Sequence, residues 1–398
     1  MPRRRWRGAL WACVALAWAA PHGVSFQAPT AAPAASADSH SPRLIPRTSA
    51  EREQRFITQH RIILNVHVSD VSGKPYRELN QADFIIYDND RAQKLVSFRA
   101  VEGSAAQAHV ILVLDTVNSS SRQLRYFMKD IEKYLRESDG PLPVPLSIGV
   151  LSNARIDMSQ PSRDRAALLV ELNSRSANLR ATGCTANGDR GDTVDPTRLW
   201  TSGAVRTESS KELICLNERF ISSLTALQQL AKAQVDVPGR AILVWIGPGW
   251  PMLTNKAFTP DPPDLKRNFF DQLVSLSMAL REAQVTLDAI ASPDESINPE
   301  TPNLRDFDFF AGVASEDQVR AGNLGLHALA HQTGGNILVD ARDVAGQLKQ
   351  CVTDAEAYYV LAFDSPAAAA FGEYHALGVK VDKPGLDVRT NTIYYGEQ

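Results

Sequence analysis

Two histidines, His327 and His331, stand four apart in Leu326-His-Ala-Leu-Ala-His-Gln-Thr-Gly-Gly335. At that spacing one helix face can offer both imidazoles to a metal. The zinc-peptidase pattern also needs a Glu directly after the first His to act as base, and Ala328 follows instead, so surface histidines are the better reading. Asp189, Asp192 and Asp195 lie in Asn187-Gly-Asp-Arg-Gly-Asp-Thr-Val-Asp195. That composition approaches a calcium loop, but the spaced closing Glu is missing; a solvated acidic loop is the default and calcium the alternative. Arg190-Gly191-Asp192 is a tripeptide many integrins recognise, here read as a chance match. There is no G-x-S-x-G nucleophile elbow, and Gly322-Asn-Leu-Gly325 lacks the Lys and the preceding strand of a phosphate loop. The residues point to no reaction and to no catalytic group.

Cysteine chemistry offers more. Cys184 and Cys215 flank a polar, Gly-rich segment and form the natural disulfide pair in an oxidising compartment, with unrelated free thiols as the alternative. Cys351 falls on the apolar face of a helical pattern with Val344, Leu348, Val352 and Ala355, where a free Cys behaves as a small hydrophobe.

The elements that must position these residues follow from periodicity. Leu64, Val66 and Val68 alternate with polar residues, the period of a half-buried strand. Phe84–Tyr87 and Gln93–Phe98 read as further strands. His109-Val-Ile-Leu-Val-Leu-Asp115 is a nearly continuous apolar run, suited to a strand covered on both faces. Helical spacing follows at Leu124, Phe127, Met128, Ile131 and Leu135. Strands are predicted at Leu146–Leu151, Arg155–Ser159, Ala241–Ile246, Val285–Ile290 and Asn336–Val339. Helices are predicted at Arg163–Leu172, Phe220–Ala231, Phe269–Ala283, Leu326–Thr333 and Val344–Ala355, with Gly334-Gly335 as a left-handed C-cap. This alternation predicts a doubly wound (Rossmann-like) α/β domain. The tail returns to β at Tyr358–Phe363, Tyr374–Val381 and Leu386–Tyr395. The β segments at both ends are expected to pair into one small antiparallel domain, because isolated hairpins are marginal.

With these elements in order, the chain resembles the von Willebrand factor type A fold, and more narrowly the von Willebrand factor type A-related family known from acidobacterial genomes. The likeness rests on the turn Asp70, Gly73, Lys74, Pro75; on the run Leu79, Asp83, Phe84, Asp88; on Leu112–Ser119; and on Ala357–Phe363 with Lys380–Val388 and Tyr394-Tyr395. It implies a divalent-metal site at the sheet's C-terminal edge, built from D-x-S-x-S, a second-loop Thr and a third-loop Asp. Here the first stretch reads Asp115-Thr-Val-Asn-Ser119: Asp115 and Ser119 match, with Asn118 beside them, while Val117 replaces a Ser. Gly247-Pro-Gly249 stands where the third-loop carboxylate belongs, and Thr182 or Thr185 is left for the second loop. A hard ion such as Mg²⁺ wants several oxygens. The site is therefore expected to be degenerate and to take no cofactor, with Mg²⁺ as the alternative, and with Asp115 and Asn118 capping the next helix if no metal binds.

Three connections are far longer than compact domains ordinarily need: 177–211, 247–264 and 292–323. They carry Trp200, Trp250, Met252, Phe258, Phe307, Phe309 and Phe310, either a binding face or pins that hold the loops down.

At the front, Met1-Pro-Arg-Arg-Arg-Trp-Arg7, an apolar run and Ala17-Trp-Ala19 make a secretory signal peptide. Its removal takes four arginines and moves the formal charge from −3 to −7, which argues against nucleic acid. Expected boundaries are a signal peptide over 1–20, a flexible tether over 21–55, β segments over 56–104 and 357–398 that pair, and the type A-like domain over 105–356. The functional expectation is an exported, non-enzymatic interaction module in the periplasm or outside the cell. It would bind a protein or cell-envelope ligand and have no membrane span in the mature chain. The alternatives are a metal-dependent adhesion domain using Asp115 and Ser119, and an enzyme of unrecognised class.

Overall fold

The computed structural model describes residues 60–103, 107–177, 179–184, 210–250, 263–290, 309–338 and 343–396. The expected signal peptide and tether lie outside them. Four strands come first: β1 (Arg61–Asp70), β2 (Phe84–Asp88), β3 (Arg91–Gln93) and β4 (Leu95–Glu102). The α/β part follows as β5 (Ala108–Asp115), α1 (Ser121–Arg136), β6 (Leu146–Ser152), β7 (Arg155–Met158), α2 (Arg165–Ser176), α3 (Ser210–Gln234), β8 (Arg240–Ile246), α4 (Pro263–Glu282), β9 (Val285–Ile290), α5 (Leu326–Gln332), β10 (Ile337–Leu338) and α6 (Val344–Asp354). Strands β11 (Ala357–Asp364), β12 (Glu373–Val381), β13 (Leu386–Arg389) and β14 (Ile393–Gly396) close the chain.

The central sheet has six strands in the order β10-β9-β8-β5-β6-β7, parallel except for the β7 edge. Its inner strands are apolar throughout because both faces are covered. Ile111, Val113, Leu243 and Trp245 pack on α3, α4 and α5. Leu112, Leu114, Val244 and Ile246 pack on α1, α2 and α6. Each large side chain buried in this way contributes about 1.5–3 kcal/mol. This is the doubly wound α/β architecture expected from the sequence.

Helix α1 starts two residues later than a cap at Asn118, and five later than one at Asp115, would place it. Ser120 is its N-cap: the Ser120 hydroxyl accepts from the Gln123 amide at 3.2 Å, and the Gln123 side chain accepts from the Ser120 amide at 2.7 Å. That reciprocal box satisfies two orphan donors and leaves Asp115 for another task. At the end of α5, Gly334 takes φ +76, and a Cβ there would meet the Thr390 backbone at 2.3 Å, so the C-cap needs glycine twice over.

The flanking strands build two four-stranded sheets, β13-β1-β11-β4 and β14-β12-β2-β3. Between them lies a core of Leu64, Val66, Phe84, Ile86, Leu361 and Phe363. The first sheet is buried on its other face too, where Tyr358 and Val101 join the α6 side of the central domain. Two sequence-predicted strands prove to be pairs. Gln93–Phe98 breaks at Lys94, and Leu386–Tyr395 breaks at Thr390–Thr392. In each pair the two halves belong to opposite sheets. Only short polar stretches, Lys94 and Thr390-Asn-Thr392, lie at these corners, where the backbone turns from one layer to the other.

Candidate functional site

From β5 the chain winds one way to β6 and the other way to β8. The crevice between β5 and β8, at the carboxyl ends of the strands, is the topological switch point where such sheets hold ligands. Asp115 ends β5 there and is fully buried. Its Oδ1 accepts from the Val117 and Asn118 amides at 3.1 and 2.9 Å. Its Oδ2 accepts from Asn118 Nδ2 at 2.8 Å and Trp245 Nε1 at 2.9 Å. A carboxylate has about four lone-pair sites, and all are engaged.

The cation beside it belongs to the protein. Arg219, on the inner face of α3, is 3 % exposed. Its Nε donates to Asn118 Oδ1 and its Nη2 to the Asn118 carbonyl, both at 3.2 Å. Ser223, one turn on, donates to the Arg219 carbonyl at 2.9 Å and accepts from Asn118 Nδ2 at 2.9 Å. Burial raises Asp115 above the ordinary carboxylate range despite its hydrogen bonds and the Arg219 charge. Burial lowers Arg219 to about 10 despite Asp115. Desolvation thus outweighs the longer-range attraction between the two groups, which are not in direct contact.

The ion expected by resemblance does not fit these residues. Asp115 has no lone pair left, Asn118 turns its oxygens to Arg219, and Val117 is a buried apolar side chain. The third-loop carboxylate is excluded sterically as well as missing. A Cβ on Gly247 would stand 2.8 Å from the Asp115 Cβ and 3.0 Å from Ser119 Oγ. Thr182 does reach the site: its amide donates to the Thr116 carbonyl at 2.8 Å, and its hydroxyl lies 2.8 Å from that of Thr116. Thr116 in turn donates to the Leu151 carbonyl. Ser119 Oγ is buried without a hydrogen-bond partner.

Cys184 and Cys215 are bonded, with Cα atoms 5.6 Å apart. The bridge ties the first turns of α3 to the loop carrying Thr182. One helical turn separates Cys215 from Arg219, so the same clip holds the guanidinium against the Asp115 loop. Cys351 is free and buried.

Of the loop aromatics within the described residues, Trp250 is buried and Phe309 and Phe310 are part-buried, which matches the pinning alternative for these rings. Trp250 is 3 % exposed, donates to the Leu324 carbonyl at 2.7 Å, and meets Trp245 edge-on at 5.2 Å. The Phe309 ring covers Gly322, where a Cβ would approach it to 2.5 Å. Phe310 stacks on His331 at 4.5 Å, so His331 is a packing partner, half-buried and with its pKa lowered by burial. Among the described residues no group of three His, Cys, Asp or Glu side chains could hold a metal. Trp200, Met252, Phe258, Phe307 and the Asp189–Asp195 loop lie outside the described residues. A cleft of about 450 Å³ opens between α3 and α4, lined by Asn217, Ile221, Gln228, Asn268, Phe269 and Gln272.

Sequence reasoning missed Arg219, although a signal existed: it is the one cation in the apolar stripe Leu216, Phe220, Leu227. It also missed a second buried cluster under the opposite end of the sheet. Asp354 Oδ2 accepts from Arg389 at 2.6 Å and Asn336 at 2.9 Å. His67 Nε2 stands 3.2 Å from Asp354 Oδ1 without forming a hydrogen bond. Arg240 donates to the Asp354 carbonyl at 3.4 Å, and Asp288 accepts from the Asn336 amide at 2.6 Å. These residues come from β1, β8, β9, α6 and the end of β13, and they bolt the flanking sheet to the central one.

No protein-family model matches the sequence, and no curated protein matches it. Distant similarities to solved structures are found. The human COPII-coat protein Sec24c is similar at 9% identity and a TM-score of 0.35, over 75% of this chain and 44% of that one. An aerotolerance-related membrane protein from Bacteroides fragilis is similar at 11% identity and 0.32, over 62% and 98%. The manganese-loaded TRAP protein of Plasmodium vivax is similar at 11% identity and 0.30, over 79% and 100%. At such identities no residue's role carries over to this chain.

Proposed function

We propose that this chain is an exported interaction module whose type A-like domain recognises a protein or cell-envelope ligand without a divalent metal and without catalysis. The observation that carries this reading is the closed state of Asp115: a fully buried carboxylate accepting four internal hydrogen bonds, with a guanidinium in place of an ion. The Cys184–Cys215 bridge supports export, since such bonds persist in oxidising compartments. Among the described residues no helix is long and apolar enough to cross a membrane. The narrower placement, in the acidobacterial type A-related family, rests on the opening and closing motifs of the sequence.

The test is calorimetric titration of the mature protein with Mg²⁺, Mn²⁺ and Ca²⁺, beside an Asp115→Ala control. No saturable heat is expected with either protein. Saturable binding that disappears in the control would replace this reading with a metal-dependent adhesion domain.

A further inference from the structure

We infer that Arg219 is a built-in substitute for the divalent ion: a cation attached to α3 that occupies the Asp115–Ser119 loop and makes the sheet edge insensitive to metal supply and to chelators. The loop keeps the elements of a cation site. It has an anionic Asp115, two oxygens of Asn118 and the unpartnered hydroxyl of Ser119, all buried at one strand end. What satisfies the two Asn118 oxygens is the guanidinium, through Nε and Nη2 at 3.2 Å each. Arg219 is itself fixed from three sides. Ser223 bonds its carbonyl, the disulfide clamps α3 one turn earlier, and the aromatic contact of Phe220 with Phe269 at 6.1 Å holds the helix on α4. Taking the guanidinium away frees the two Asn118 oxygens beside the Ser119 hydroxyl, and it leaves Asp115, whose own four hydrogen bonds come from other donors, without a nearby counter-charge for a hard cation to replace. The inference rests on this geometry alone and does not depend on what the edge recognises.

The experiment follows thermal unfolding of the full mature protein, disulfide intact, with increasing Mn²⁺. Wild type and Arg219→Lys, which both keep a cation, should show no Mn²⁺-dependent change. Arg219→Ala should start with a lower Tm and regain several degrees in a saturable manner as Mn²⁺ binds the folded state. The double variant Arg219→Ala with Asp115→Asn should lose that response. A folded Arg219→Ala protein indifferent to Mn²⁺, or a wild type that responds equally, overturns the inference. If Arg219→Ala does not fold, a cycle of Asp115→Asn and Arg219→Met decides. The two together should cost less than the sum of the singles, and additive costs would show that no charge compensation exists. Wild-type metal binding in calorimetry would defeat the proposed function, whereas indifference of Arg219→Ala defeats only the substitution.

Discussion

At the scale of single residues, this molecule uses buried charge to hold its elements together. His67 shows what that costs. Burial lowers its imidazole from the ordinary value to about 4, and the neighbouring Arg389 and Arg240 push the same way against the pull of Asp354. A histidine whose folded value lies below its unfolded value of 6.5 binds its proton more readily when the chain unfolds. It therefore has no effect on stability above pH 6.5 and destabilises progressively as pH falls from 6.5 to 4, by roughly 3 kcal/mol in full at 1.36 kcal/mol per unit. The sign is the same for Asp354, which is held below its usual range by His67 and Arg389, and opposite for Asp288, which burial raises. Urea unfolding of wild type and His67→Gln at pH 7 and pH 4 isolates the His67 share. The wild type should lose more stability on acidification than the variant, and equal losses would show that the ring titrates normally.

Among the elements, α3 depends most on a covalent aid. Its first turns follow a long connection, and the Cys184–Cys215 bridge closes a separation of 31 residues. Loop-closure entropy puts the bridge at about 3–4 kcal/mol. A Cys184→Ser, Cys215→Ser protein should be destabilised by about that amount in urea. It should also expose α3 to hydrogen exchange around Arg219, while protection in β5 and β9 is retained; unchanged exchange in α3 would mean the helix is held by packing alone. Element identity was largely legible in the sequence, because continuous apolar runs such as Val110–Leu114 and helical stripes such as Leu124–Leu135 admit few alternatives. The corners were not. Lys94 and Thr390-Asn-Thr392 interrupt the apolar pattern where the strand changes sheet, but they carry no Gly or Pro to mark a turn. The site was half legible. The sequence shows that Val117 and Gly247 break the metal pattern, but the replacement cation lies more than a hundred residues away on another element, and only three-dimensional proximity brings it to Asp115. The aromatic residues stayed open for a related reason: composition cannot tell a ring that faces solvent from one like Trp250 that pins its own loop.

On the scale of the whole molecule, the two ends of the described chain are one structure. Among the described residues the strands that pair with β1 are β11 and β13, and β2 meets β12 over Leu377–Val381. A chain stopped after Ala355 therefore leaves β1–β4 without their main partners. It should show no cooperative unfolding transition and should bind apolar dyes, and a sharp transition in the truncated chain would show that the α/β part stands alone.

The same closure sets a timetable for birth of the protein. Arg61 emerges from the ribosome 303 residues ahead of Asp364, the residue it will pair with. At ordinary synthesis rates that is a wait of roughly 15–60 s. Throughout it the segment Ile62-Ile-Leu-Asn-Val-His-Val68, apolar and rich in β-branched residues, has no strand to join. Such a segment is a template for neighbouring chains in the same condition. A chain built this way is best served by a holding chaperone that keeps its first strands apart until strands β11 to β13 have arrived.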